Sequence, residues 1–194
     1  MPSLALGTSP ASLLEMTSAY ATIAAQGEYR PPLLVTKVTD AHGKLLMQLA
    51  PPAGAPGERV LDAPVAVQLI DMLRGAVDRG TGQGIRATWG LRADVAGKTG
   101  TTQNNTDGWF ILMQPQLVAG AWVGFNDPRI TLRSDHWGQG AHNALHVVGD
   151  AMRGALAQGS VDPAAEFPRP PGAALRDFMR SAGETIRRWF GFGD

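Results

Sequence analysis

The residues with the clearest chemical potential lie in one run, Gly97-Lys98-Thr99-Gly100-Thr101-Thr102. On a strand edge alternate side chains face opposite sides, so Lys98 and Gly100 point one way and Thr99 and Thr101 the other. The lysine supplies positive charge, hydroxyls can hold a carboxylate, and glycine lets a second backbone lie close. A backbone N–H just past Gly100 can point at a developing oxyanion. Gly-Lys-Thr also occurs in phosphate-binding loops. Such a loop needs a glycine where Arg92 stands, and a helix directly after the lysine whose N-terminal N–H groups hold the phosphate. Here Gly100, Asn104 and Asn105 follow, then an aromatic strand, and phosphate binding is set aside. The Gly80-Thr81-Gly82-Gln83-Gly84 run follows a helix rather than a strand, and its third glycine is one position early for a dinucleotide loop. It reads as a helix stop.

The elements that must position this run follow from periodicity. Ser9-Pro10 is the expected start of a first helix, with Ser9 as N-cap and Pro10 at the first helical position. Leu13, Leu14, Met16, Ala19, Tyr20, Ile23 and Ala24 then recur at helical spacing, and Gly27 stops it. Leu33 to Thr39 and Lys44 to Leu49 read as two arms of a hairpin around Asp40-Ala41-His42-Gly43. Residues 50–60 are loop. Asp62 should cap a second helix with Val65, Val67, Leu69, Ile70, Leu73 and Val77 mostly inward. Arg92 to Thr102, Gly108 to Met113 and Leu117 to Phe125 are three short strands with tight links, which argues for an antiparallel meander. Residues 126–139 are loop, and Ala141 to Ala157 is a helix with Leu145, Val148, Met152 and Leu156 on one face. Pro163, Pro168, Pro170 and Pro171 mark residues 159–172 as a linker. Beyond it, residues 173–194 form an amphipathic tail: Leu175, Phe178, Met179, Ala182, Ile186, Trp189 and Phe190 oppose Arg176, Arg180, Arg187 and Arg188.

Bulk properties narrow the function classes. The 194 residues, 44% hydrophobic, suffice for one sizeable core. Seventeen basic and seventeen acidic residues cancel, which argues against nucleic-acid binding as the main task. Cysteine is absent, so there is no disulfide framework, thiolate nucleophile or Cys-based zinc site. No apolar run approaches the roughly 20 residues of a membrane span, and residues 1–30 lack the pattern of an export signal. Any route out of the cytoplasm is expected to be encoded upstream.

The surroundings of Lys98-Thr99-Gly100 carry a resemblance. Leu4-Ala5-Leu6-Gly7-Thr8-Ser9-Pro10, Leu14-Glu15-Met16, Ala19-Tyr20-Ala21-Thr22, Gly80-Thr81-Gly82, Asp107-Gly108-Trp109-Phe110 and Trp122-Val123-Gly124-Phe125-Asn126-Asp127 occur in order and at the spacing of bifunctional class A penicillin-binding proteins. Residues 1–158 resemble the C-terminal part of that family's transpeptidase domain, whose third motif is Lys-Thr-Gly. The resemblance implies an α+β fold, an antiparallel sheet with packed helices, of which this chain holds three strands, helices and a hairpin. It implies a periplasmic or extracytoplasmic serine-type D,D-transpeptidase, attached to the inner membrane, that cross-links peptidoglycan stem peptides and is acylated by β-lactams, without a cofactor. Lys98 would assist proton transfer at the serine. Thr99 and Thr101 would bind the terminal carboxylate, Gly100 and Thr102 would line the substrate site, and the Thr101 N–H would form half of the oxyanion hole. Trp109 fits packing better than chemistry.

The chain departs from the family where the nucleophile should be. Ser12 is followed three positions later by Glu15, Ser18 by Ala21 and Ser181 by Glu184, so no Ser-x-x-Lys is present, and Ser-x-Asn is missing too. In the family both lie upstream of the part matched here, as do the glycosyltransferase domain and membrane anchor. Without nucleophile and base there is no acyl-enzyme, so the chain alone is expected to be inert, a fragment partnered by the rest of its domain. The other reading is a non-catalytic binding or scaffold module. Residues 117–125 would then present an open apolar edge, because the family sheet has two further strands beside them.

Three weaker signals remain. His142 and His146 have the i, i+4 spacing of paired metal ligands, but no third ligand is evident, and no metal site is expected. Asn104-Asn105-Thr106 is a formal glycosylation acceptor that means little in a bacterial family. The tail's arginine face suits weak contact with an anionic membrane, although such stripes more often dock on their own domain.

Overall fold

The computed structural model describes residues 7, 9–49, 56–127, 129–134, 136–173 and 179. The amphipathic tail expected beyond residue 173 lies outside them, apart from Met179. Helix α1 spans Leu13–Ala24. Its N-cap is Ser12 rather than Ser9, because Ser12 and Glu15 form a capping box: the Ser12 N–H donates to Glu15 Oε2 at 2.8 Å and the Glu15 N–H to Ser12 Oγ at 3.2 Å. Gly27, in the left-handed region at φ 93°, closes the C-terminus as expected.

The two-residue strands β1 (Glu28–Tyr29) and β4 (Glu58–Arg59) pair with each other, and β2 (Lys37–Thr39) pairs with β3 (Leu45–Gln48). Asp40 Oδ1 accepts from the N–H groups of His42 and Lys44, both at 2.9 Å, which sets the hairpin turn. Only the stretch facing β3 becomes strand. Leu33, Leu34 and Val35, expected to extend it, are exposed and unpaired.

Helix α2 (Ala63–Asp78) buries Ala66, Val67, Ile70, Arg74 and Val77. Two details differ from the periodicity reading. Val65 is exposed, and the buried face includes Arg74, a residue that hydrophobicity places outside, because Asp94 waits to receive it. A single-turn helix α3 (Gly84–Ala87) follows the Gly80–Gly82 stop.

The central meander forms as expected: β5 (Ala96–Thr101), β6 (Asp107–Gln114) and β7 (Leu117–Gly124) are antiparallel in the order β5-β6-β7. Arg92–Val95, expected as strand, enters the sheet as a loop. Alternation gives the sheet two apolar faces. One packs Phe110, Leu112 and Ala121 against Leu145, Val148 and Met152 of α4 (Ala144–Ala157), with Val77, Ile85 and Val95 alongside. The other packs Ala96, Met113 and Val118 against Ile70 of α2, Tyr20, Ile23 and Ala24 of α1, and Phe167. Among the described residues β7 pairs only with β6, so its outer edge is open.

The Pro-rich stretch differs most from its composition. Residues expected as a linker lie against the domain, with Val161, Phe167, Pro170 and Ala173 buried. The Gln114 side chain, fully buried, donates to the Asp162 carbonyl at 2.9 Å, and the Asp162 N–H donates to Gln116 Oε1 at 2.7 Å. Backbone N–H and carbonyl groups recruited in this way hold a proline-rich segment that has few hydrogen bonds of its own. No helix among the described residues is long and apolar enough to cross a membrane.

Candidate functional site

Strand β5 changes character along its length. Ala96 and Gly97 are buried, while Lys98 is exposed and Thr99, Gly100 and Thr101 reach the surface. The register places Lys98 opposite Ile111, Gly100 opposite Trp109, Thr99 opposite Phe110 and Thr101 opposite Gly108. Lys98 and Gly100 therefore share the α1 face of the sheet, and Thr99 and Thr101 the α4 face, as alternation requires.

Each polar group of the run has a definite partner. Lys98 Nζ donates to the Thr99 carbonyl at 2.9 Å and lies 3.4 Å from Thr99 Oγ1. Among the described residues it reaches no serine. Thr99 Oγ1 and Thr81 Oγ1 are 2.5 Å apart, so the Gly80–Gly82 loop is more than a helix stop: it grips the motif. Thr101 Oγ1 accepts from the Gly140 N–H at 3.1 Å. Thr102 Oγ1 accepts from the Asp107 N–H at 3.0 Å and meets Thr106 Oγ1 at 2.5 Å, inside the turn that joins β5 to β6. That turn is a short 3-10 segment, Gln103–Asn105, with Asn104 and Asn105 at positive φ, and not the phosphate-binding helix that a nucleotide loop would need.

Behind the run, the Trp109 and Trp122 rings meet edge to face with centroids 6.4 Å apart, and Trp122 Nε1 donates to Asp107 Oδ2 at 3.0 Å. This arrangement ties β6 to β7 and fits the packing role expected of Trp109. One concavity, about 380 Å³, lies between α1, Pro32 and the β6–β7 turn. None of its lining residues belongs to the motif, so Lys98 looks out of the molecule rather than into an enclosed pocket.

The histidine pair does not converge. Helix α4 begins at Ala144, so His142 precedes it. His142 stacks on His136 with centroids 3.8 Å apart, and His146 turns to Trp89 at 4.9 Å. No group of three or more metal-capable side chains occurs among the described residues. Two contacts were missed in sequence. Thr81 stood in a run explained by helix termination alone, and Gly140 carried no signal, being one glycine in a glycine-containing loop.

Comparison with known proteins decides the family. The family model described as penicillin binding protein transpeptidase domain matches residues 2–126. The chain belongs to the penicillin-binding protein transpeptidase family. It is 34% identical over 155 residues to penicillin-binding protein 1A of Neisseria lactamica, covering 79% of this chain and 19% of that protein. It is 40% identical over 124 residues to penicillin-binding protein 1A of Aquifex aeolicus, covering 64% of this chain and 16% of that one. The chain thus spans less than a fifth of the length of these penicillin-binding relatives. Among solved structures, penicillin-binding protein 1A of Haemophilus influenzae is similar over 88% of this chain and 30% of its own, with a TM-score of 0.75 at 25% identity. The PonA1 protein of Mycobacterium tuberculosis in complex with penicillin V is similar over 87% of this chain and 43% of its own, with a TM-score of 0.66 at 28% identity.

Proposed function

We propose that this chain supplies the Lys-Thr-Gly wall of a serine-type D,D-transpeptidase site that cross-links peptidoglycan stem peptides and reacts with β-lactams outside the cytoplasm. The supporting observation is Lys98 on an exposed strand end, beside hydroxyls already held in place, with no serine within its reach among the described residues. Lys98 supplies charge and proton transfer at a serine brought by the rest of the domain. Thr101, with Thr99 beside it, holds the substrate's terminal carboxylate. The Thr101 N–H stabilises the oxyanion of the tetrahedral intermediate, where an oriented backbone donor acts without reorganising. Gly100 lets the substrate backbone approach, and Thr102 shapes the rim through its turn. By itself the chain forms no acyl-enzyme, because these 194 residues contain no Ser-x-x-Lys.

Complementation tests this reading. The chain is co-expressed with the Ser-x-x-Lys-bearing first half of a class A relative's transpeptidase domain, and a fluorescent penicillin is added. Labelling of the complementing segment's serine is expected with the wild-type chain, and its loss with Lys98→Ala. A co-purifying pair that stays unlabelled, or labels equally well with Lys98→Ala, contradicts it.

A further inference from the structure

Thr101 has one hydroxyl proton, and its neighbours decide where that proton points. The Gly140 N–H donates to Thr101 Oγ1 at 3.1 Å, so the hydroxyl is an acceptor on that side. Gly140 is itself pinned. The Leu145 N–H, in the first turn of α4, donates to the Gly140 carbonyl at 2.9 Å. A Cβ at this position would collide with the carbonyl oxygens of Trp109 and Gly100, so only glycine brings its N–H this close to the strand. No second hydrogen bond engages Thr101 Oγ1 among the described residues, and Thr101 is exposed. The hydroxyl proton is therefore available to donate toward solvent. The neighbouring threonines are wired differently. Thr99 shares its hydroxyl with Thr81, and Thr102 has its hydroxyl inside the turn with Thr106.

We propose that Gly140 is a positioning residue: its N–H occupies one lone pair of Thr101 and so presents the Thr101 hydroxyl as a donor to the substrate carboxylate. A carboxylate only accepts hydrogen bonds. A hydroxyl whose acceptor side is already taken loses less freedom when it donates, which favours binding before any new contact is counted. This inference rests on the carboxylate-binding reading above.

The test uses the full chain, 15N-labelled, with N-acetyl-D-alanyl-D-alanine as probe and its C-terminal amide as control. Hydrogen exchange at the Gly140 amide and probe affinity are measured in wild type, Thr101→Val and Thr101→Ser. Thr101→Val should speed Gly140 exchange and weaken the probe, each by about tenfold, and Thr101→Ser should restore both. The amide control should not distinguish the variants. If Thr101→Val weakens the probe but leaves Gly140 exchange unchanged, the carboxylate reading stands and the role of Gly140 is overturned. If exchange responds and affinity does not, the contact is structural only and the proposal also falls. Failure of the wild-type chain to bind the probe removes the carboxylate reading, and the proposal with it.

Discussion

The two ends of β5 are built on opposite principles. At the entry, the Asp94 carboxylate receives Arg74 at 2.7 and 2.6 Å and the Phe167 N–H at 2.8 Å, while Arg74 also donates to the Phe167 carbonyl at 3.0 Å. The Arg74 and Asp94 side chains are only 8% and 11% exposed, so this is a desolvated, geometrically complete pair joining α2, the strand entry and the segment after α4. At the exit, four to eight residues later, Lys98 and the threonines stand at the surface in light hydroxyl contacts. One end is built for stability, and the other exposes the residues to which the proposed function assigns chemistry. A rigid anchor lets the exit be held by few contacts and still keep its geometry.

The largest effect should come from breaking the anchor. Arg74→Ala leaves the Asp94 carboxylate buried without its cation, and a loss of about 3–5 kcal/mol is expected from denaturant unfolding. A loss under about 1 kcal/mol would mean that the pair is a passenger rather than the anchor. Acid sharpens the same contrast. Burial pushes the Asp94 carboxyl up, but the Arg74 hydrogen bonds, the Phe167 N–H and the positive charges of Arg74 and Arg169 outweigh it, and the group is held below the usual carboxylate range. A depressed folded-state value stabilises the fold above the unfolded pKa of about 3.9, and that stability is lost as pH falls through the lower folded value. Asp94→Asn should therefore be less stable than wild type at neutral pH, with the gap closing below about pH 4. An equal gap at pH 7 and pH 3 would refute the sign.

The exit should respond least. Lys98 is exposed and, among the described residues, bonds only to its own neighbour, so Lys98→Ala should change stability by no more than about 0.5 kcal/mol. A change of several kcal/mol would erase the division between anchor and working end.

The same division governs what could be read from sequence. The meander, its registers and the apolar face of α4 follow from two periodicities, and Lys98 and its threonines could be found from residue type and spacing. Arg74 could not, since a buried guanidinium depends on a carboxylate twenty positions away that only the fold brings near. The Pro-rich stretch misled for a related reason: composition reports that it forms no regular element, not that Gln114, Gln116 and Asp94 wait to bind its backbone. The start of α1 shifted from Ser9 to Ser12 because the reciprocal bond to Glu15 outweighs the Pro10 signal. At the site, Thr81 and Gly140 were illegible because each acts through a single long-range hydrogen bond.

The central claim is that this chain holds one wall of a penicillin-reactive site and not the nucleophile. Intact-mass measurement of the purified chain after incubation with excess benzylpenicillin tests it most directly, with a heat-denatured sample as control. The expected result is an unchanged mass in both samples. A stoichiometric penicilloyl adduct on the native chain, absent after heating, would contradict the claim and place a working nucleophile within these 194 residues.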